Sequence, residues 1–186
     1  HKIDAYIIPT SDPHMSEYPA DCWKYREWIS GFTGSAGTVV ITADKAGLWT
    51  DSRYFLQAST QLEGTGIELF KMMLPETPTI PEFLAHELEK GQTVGLNGET
   101  YSLAEARTLE KALAEKEIKL NTNASLIDPI WKERPAIPEA PMFEMQVELS
   151  GKSVEDKLLD INKMLHKAGA DCTILSALDE VAWTFK

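Results

Sequence analysis

Three prolines fall within seven residues, at Pro135, Pro138 and Pro141. No element that relies on a full set of backbone N–H donors passes through such a stretch. Proline lacks that donor, fixes φ, and drives the residue before it out of the helical region. Arg134-Pro135-Ala136-Ile137-Pro138-Glu139-Ala140-Pro141 is therefore read as a stiff connector. It divides the 186-residue chain into an N-terminal domain (1–134), a linker (135–150) and a C-terminal part (151–186). The first part is long enough for an ordinary domain, and the last is too short to build a core of its own.

Within 1–134 the apolar pattern alternates between strand and helix. Asp4-Ala5-Tyr6-Ile7-Ile8 is a short buried strand stopped by Pro9. Asp21 is placed to cap a helix that carries Trp23, Trp28 and Ile29 and ends at Gly31. Thr38-Val39-Val40-Ile41-Thr42 is β-branched throughout, and Ala43 to Gly47 turns it into Leu48-Trp49-Thr50, which makes a hairpin. A helix (Tyr54 to Leu62), a strand (Leu69 to Leu74), a helix (Pro81 to Lys90) and a strand (Val94 to Leu96) follow. A helix from Leu103 to Ala114 has Leu103, Ala106, Leu109 and Leu113 on one face, and Lys119-Leu120-Asn121 is a closing strand. This order implies an α/β fold: a mixed sheet flanked by helices, with one hairpin inserted.

Beyond the linker, Ser153 caps a helix from Val154 to Lys167, with Leu158, Ile161 and Leu165 along one face and Gly169 at its end. Cys172-Thr173-Ile174-Leu175 reads as a new strand. The order His-Lys, Asp, apolar strand at 166–175 echoes His1-Lys2-Ile3-Asp4-Ala5-Tyr6-Ile7-Ile8. The expectation is a second, related α/β domain that is only begun.

A net charge of −11 argues against nucleic acid and against anionic membrane surfaces, both of which require a basic patch. No stretch reaches the roughly 20 apolar residues of a membrane span, and no signal peptide opens the chain. Cys22 and Cys172, far apart, give no disulfide framework and read as buried small hydrophobes, which suits a reducing, cytoplasmic setting.

The search for chemistry is largely negative. His1, His14, His86 and His166 show no metal-ligand spacing, and Asp179-Glu180 are adjacent residues that point different ways on a helix. No metal site and no catalytic residue is assigned. Gly34-Ser35-Ala36-Gly37 lacks the spacing of a nucleophile elbow. Gly31, Gly34 and Gly37 lack the Lys-Ser or Lys-Thr of a phosphate loop and precede a strand. They read as a tight turn whose glycines supply positive φ.

Two strand ends are more informative. Ser11-Asp12-Pro13-His14-Met15-Ser16-Glu17-Tyr18 is a polar loop at the carboxyl end of the first strand, where open α/β sheets present ligand-contacting groups. Trp49-Thr50-Asp51-Ser52-Arg53-Tyr54 lies at another. Arg53 offers a planar fork for a carboxylate or a peptide carbonyl, and Glu17 an acceptor for an ammonium or for Arg53 itself. On the residues alone, a surface ion pair is the simpler reading of Arg53.

A set of words in fixed order changes that balance. Asp4 to Pro9, Asp12-Pro13-His14, Ser16-Glu17-Tyr18, Ser30 to Thr38 and Leu48 to Ala58 resemble the N-terminal domain of the Xaa-Pro aminopeptidases (aminopeptidase P). The resemblance continues through Leu126 to Trp131 and Arg134-Pro135, and ends with Ala177 to Trp183. It implies a three-domain enzyme of the creatinase group: two related α/β domains, then a pita-bread domain holding two divalent metals, with manganese expected. Its Asp, Asp, His, Glu and Glu ligands would lie outside this sequence.

The implied reaction is removal of an N-terminal residue preceding proline, by a metal-activated water. By resemblance the chain is a non-catalytic, cleft-shaping N-terminal portion of a cytoplasmic, homodimeric enzyme. Arg53 and Glu17 would be its substrate-side contacts, and a peptide with proline in second position its partner. Two other readings stand beside it: a peptide- or protein-binding module of a catalytically inactive relative, and a relative acting on creatine-like substrates. Two positions depart from the family. Ser52 stands where a glycine is usual, so the turn under Arg53 is expected to differ in φ, and Lys186 stands where the family has Asn.

Overall fold

The computed structural model describes residues 2–185. His1 and Lys186, both used in the readings above, lie outside the described residues. The chain divides into two compact units, His1–Ile137 and Pro138–Lys186.

The first unit is built on a six-stranded mixed sheet. In chain order its elements are β1 (Ala5–Pro9), α1 (Tyr25–Ser30), β2 (Thr38–Thr42), β3 (Ala46–Thr50), α2 (Phe55–Gln61), β4 (Ile67–Lys71), α3 (Ile80–Glu87), β5 (Thr93–Leu96), α4 (Leu103–Ala114) and β6 (Lys119–Asn121). The spatial order is β4-β3-β2-β1-β5-β6. β1, β2 and β3 form an antiparallel meander, while β4 adds parallel to β3, β5 parallel to β1 and β6 parallel to β5. Every strand except β2 therefore runs the same way, and five carboxyl ends meet along one rim.

Both faces of the sheet are covered, so its strands are apolar on both sides, as parallel sheets require. Ile7, Val40, Trp49, Val94 and Leu96 pack against Phe83 and Leu84 of α3 and Leu109 and Leu113 of α4. Tyr6, Ile8, Val39 and Leu48 pack on the other face against Tyr25, Phe32, Ala58 and Trp131. Each fully buried aliphatic or aromatic side chain contributes roughly 1.5–3 kcal/mol.

Several boundaries differ from the sequence reading, each for a local reason. Pro9 closes β1, paired with Thr38, instead of stopping it. The β1–β5 ladder has already ended at Ile7 and Leu96, so the missing N–H is not needed there. Asp21 caps nothing; its carboxylate pairs with Lys24 at 2.6 Å, within and beyond a short 3₁₀ turn, Asp21–Trp23. β4 begins and ends earlier than expected because parallel pairing with β3 fixes it from Ile67 to Lys71, after which Met73 turns at φ 68°. α3 begins where Thr79 and Glu82 form a reciprocal capping box. Leu103, placed on the inner face of α4, is 65% exposed; Leu109 and Leu113 are the buried pair.

In the second unit, Ser153 caps α6 (Val154–Ala168) and Gly169 ends it in the left-handed conformation. A four-residue helix, α5 (Val147–Ser150), occupies the end of the expected linker, and α7 spans Leu178–Phe185. The expected strand Cys172–Leu175 does not form among the described residues: the segment is irregular, with Ile174 88% exposed. A strand needs a ladder partner, and none lies beside it here. Cys172 is exposed, not buried; Cys22 is buried.

Candidate functional site

The loop that leaves β1 is organised by a buried carboxylate. Asp12 Oδ1 accepts hydrogen bonds from the amides of His14 and Ser16, both at 2.9 Å. Desolvation pushes the Asp12 carboxyl up, but the Ser16 and His14 bonds outweigh it and hold it below the ordinary value. This folded loop presents Glu17 and Tyr18 to solvent directly afterwards.

Opposite it, the Phe32 to Gly37 segment is held by a buried arginine. Arg26 is 4% exposed. Its Nε–H donates to Thr10 Oγ1 at 2.7 Å, and its Nη atoms donate to the carbonyls of Phe32 and Gly34. Thr10 Oγ1 in turn donates to the Gly37 carbonyl. Burial pushes the Arg26 guanidinium down to about 10, so it remains charged at neutral pH. Its hydrogen-bond partners are all neutral, and the ring of Phe32 lies under it.

The glycines work differently from the sequence reading. Only Gly31 has positive φ, at the carboxyl end of α1. Gly34 and Gly37 are needed for space: a Cβ on Gly34 would stand 2.3 Å from Phe32 and 2.8 Å from Tyr54.

Arg53 follows β3. Asp51 accepts from the Arg53 amide at 3.0 Å, from Nε at 2.9 Å and from Nη2 at 2.8 Å. That bidentate bond raises the guanidinium's already high pKa further, with a smaller contribution from the charge of Glu17. The guanidinium lies 5.2 Å from the Tyr54 ring centroid, and Tyr54 Oη is 2.7 Å from Ser35 Oγ. Ser52 does not adopt positive φ, so serine fits the turn without strain.

Glu17, Lys24, Arg26, Glu27 and Ser35 line a cleft of about 250 Å³. Glu17 is on its wall; Arg53 does not line it, and its neighbour Tyr54 touches the wall only through the hydrogen bond to Ser35. The two expected contacts thus share one rim of the sheet without a direct ion pair; Asp51 is the ion-pair partner of Arg53. The sequence reading missed Arg26, Ser35, Tyr54 and Asp51. Arg26 was legible: it lies three residues from both Trp23 and Ile29, on the apolar stripe of its helix.

His14, His86 and His166 are all exposed, and Asp179 Oδ1 accepts the Glu180 amide. No three His, Cys, Asp or Glu side chains come together among the described residues.

Residues 1–128 match the creatinase/prolidase N-terminal domain, and residues 133–186 match a second domain of the same description. The chain belongs to the creatinase/prolidase N-terminal domain family. Among relatives of this family, aminopeptidase P2 of Arabidopsis thaliana is 44% identical over 97% of the chain, which spans 26% of that protein. A probable Xaa-Pro aminopeptidase P of Laccaria bicolor is 40% identical over 98% of the chain and 29% of that protein. The X-prolyl aminopeptidase of Caenorhabditis elegans, a cytosolic enzyme with a di-nuclear active site, superposes with a TM-score of 0.88. It is 32% identical, over 98% of this chain and 30% of that one. The chain thus spans between a quarter and a third of these relatives, and it resembles their N-terminal part. No described helix is long and apolar enough to cross a membrane.

Proposed function

We propose that this chain forms the substrate-side wall of an Xaa-Pro aminopeptidase, whose full-length form removes an N-terminal residue preceding proline. One observation supports the reading: Glu17 and Arg53 stand on loops after β1 and β3, which run the same way, with Glu17 on the wall of a cleft whose Ser35 is hydrogen-bonded to Tyr54, the residue next to Arg53. Identities of 40–44% to Xaa-Pro aminopeptidases across nearly the whole chain support it. In this reading Glu17 receives a cationic group and Arg53, oriented by Asp51, donates to a carbonyl or carboxylate of the peptide.

The residues described here do not fit a dinuclear metal centre, for want of three clustered ligands. No step of hydrolysis is assigned to them. Two divalent cations, manganese in our reading, belong to another part of the parent enzyme, which we take to be a cytoplasmic homodimer. In the same reading 151–186 begins a second domain related to 1–134 and joined to it by the 135–150 linker, with only its helices formed among the described residues.

The test is turnover of an Xaa-Pro-Xaa tripeptide by the full-length protein and by this chain alone, each with and without manganese. The reading predicts metal-dependent release by the full-length protein and none by the chain alone. Turnover by the chain alone contradicts it. Peptide binding without turnover in the full-length protein marks an inactive, peptide-binding relative.

A further inference from the structure

An arginine side chain carries five N–H donors, and Arg53 has two of them engaged. Its Nε–H and one Nη2–H go to the two oxygens of Asp51, at 2.9 and 2.8 Å. The ring of Tyr54 lies against the guanidinium, 5.2 Å away at its centroid. What is left is the outer edge: both Nη1–H groups and the second Nη2–H, which bond to nothing among the described residues. The Arg53 side chain is 62% exposed, so a substrate group can reach that edge.

The charge around the edge is not that of a lone arginine. Asp51 neutralises the guanidinium it orients, and the same bonds favour its ionised form. Glu17 adds a second negative charge that also acts on Arg53. The other charges on the Glu17 cleft offset one another. Lys24 pairs with Asp21 at 2.6 Å, and Glu27 is the carboxylate whose charge acts on the buried Arg26. Arg53, Asp51 and Glu17 together are therefore net negative, on a chain whose formal charge is −11.

That field separates a neutral carbonyl from a carboxylate. Both accept the same hydrogen bonds from the outer edge. The advantage of a carboxylate is Coulombic, and it gives up more tightly held water to make the contact. Beside an arginine already neutralised, with a further carboxylate close by, the attraction is cancelled while the cost of dehydration stays.

We propose that Arg53 reads a neutral main-chain carbonyl of the peptide, and that Asp51 and Glu17 make the enzyme discriminate against a free carboxylate at that position. The proposal rests on the reading of Arg53 as a substrate contact and narrows it: besides orienting Arg53, Asp51 sets which acceptor it takes. The favoured substrates are peptides whose C-terminus lies beyond Arg53 or is blocked as an amide.

The experiment uses the full-length, manganese-loaded enzyme and Xaa-Pro peptides of three, four and five residues, each as the free acid and as the C-terminal amide. At the length that brings the C-terminus to Arg53, the amide should exceed the acid about threefold in kcat/KM, mainly through KM, as exposed charges allow. High salt should shrink that difference. Asp51→Asn and Glu17→Gln should each reduce or invert it. Charges elsewhere in the enzyme, metals included, cancel when the amide-to-acid ratio of a variant is set against that of the wild type. Glu17 is exposed, so Glu17→Gln keeps the test open where Asp51→Asn disturbs the turn. Equal rates for acid and amide at every length, a preference for the acid, or an amide preference that survives in both variants overturns the proposal. Arg53→Ala separates it from the reading beneath it. A loss on acids and amides alike, with no discrimination between them in the wild type, defeats this inference alone. Wild-type kinetics of Arg53→Ala on every peptide defeat the substrate-contact reading and the inference with it.

Discussion

Tyr54 Oη and Ser35 Oγ lie 2.7 Å apart, and that bond joins the two halves of the candidate site. Ser35 belongs to the segment that Arg26 anchors through the Phe32 and Gly34 carbonyls. Tyr54 carries the guanidinium of Arg53 over its ring. The same two segments also meet where the Phe32 and Tyr54 rings pack edge to face, so a disturbance on one side is passed to the other.

Gly34→Ala tests that coupling. The new methyl meets Phe32 at 2.3 Å and Tyr54 at 2.8 Å, so both rings must move. Overpacking of this kind costs about 1–3 kcal/mol. The expected outcome is a lowered urea midpoint together with a raised KM for Xaa-Pro-Xaa peptides, because the platform under Arg53 shifts.

Asp12 gives a pH signature. Its folded-state pKa is depressed relative to the unfolded value of about 3.9. The stability it supplies is complete above about pH 4 and is lost as pH falls through the folded-state value. Asp12→Asn should destabilise the neutral protein by about 1–2 kcal/mol, since charge-assisted bonds to two amides become neutral ones. Urea unfolding as a function of pH should show the variant and the wild type converging below pH 4. Asp128, also held low, titrates in the same range in both proteins and cancels from the difference.

Arg134 closes the first unit onto α1. Its guanidinium lies 4.9 Å from the Trp23 ring centroid and 4.7 Å from that of Tyr25, donates to the Cys22 carbonyl, and pairs with Asp128 at 2.7 Å. Asp128 also accepts from Tyr25 Oη. Arg134→Ala is predicted to cost about 2 kcal/mol, from two ring contacts and two hydrogen bonds. Thermal unfolding checks it, and a change under 0.5 kcal/mol would show that the clasp is idle.

What the sequence reveals depends on how local the cause is. β2, α4 and β6 are read to the residue, because β-branched runs and a Ser102–Glu105 capping box act within a few positions. β1 and β4 are misplaced by one to three residues, because their limits are set by ladders to β2 and β3, which propensity does not encode. The segment 172–175 has strand composition and no ladder partner among the described residues, so composition misleads there. At the site, Glu17 and Arg53 are legible as polar groups at strand ends. Their common rim is not, because it arises when a hairpin brings β3 parallel to β1. The space requirement at Gly34 is equally invisible, since Phe32 and Tyr54 meet it only in the folded chain.

The central claim is that this chain holds the peptide and leaves the chemistry to the rest of the enzyme. Steady-state kinetics of Arg53→Ala in the full-length, metal-loaded protein on an Xaa-Pro-Xaa tripeptide tests it most directly. Arg53 is exposed and packs little, so the thermal midpoint should not move. The account predicts a loss of roughly ten- to hundredfold in kcat/KM, the range for removing a charge-assisted contact. Wild-type kcat/KM in that variant would contradict it.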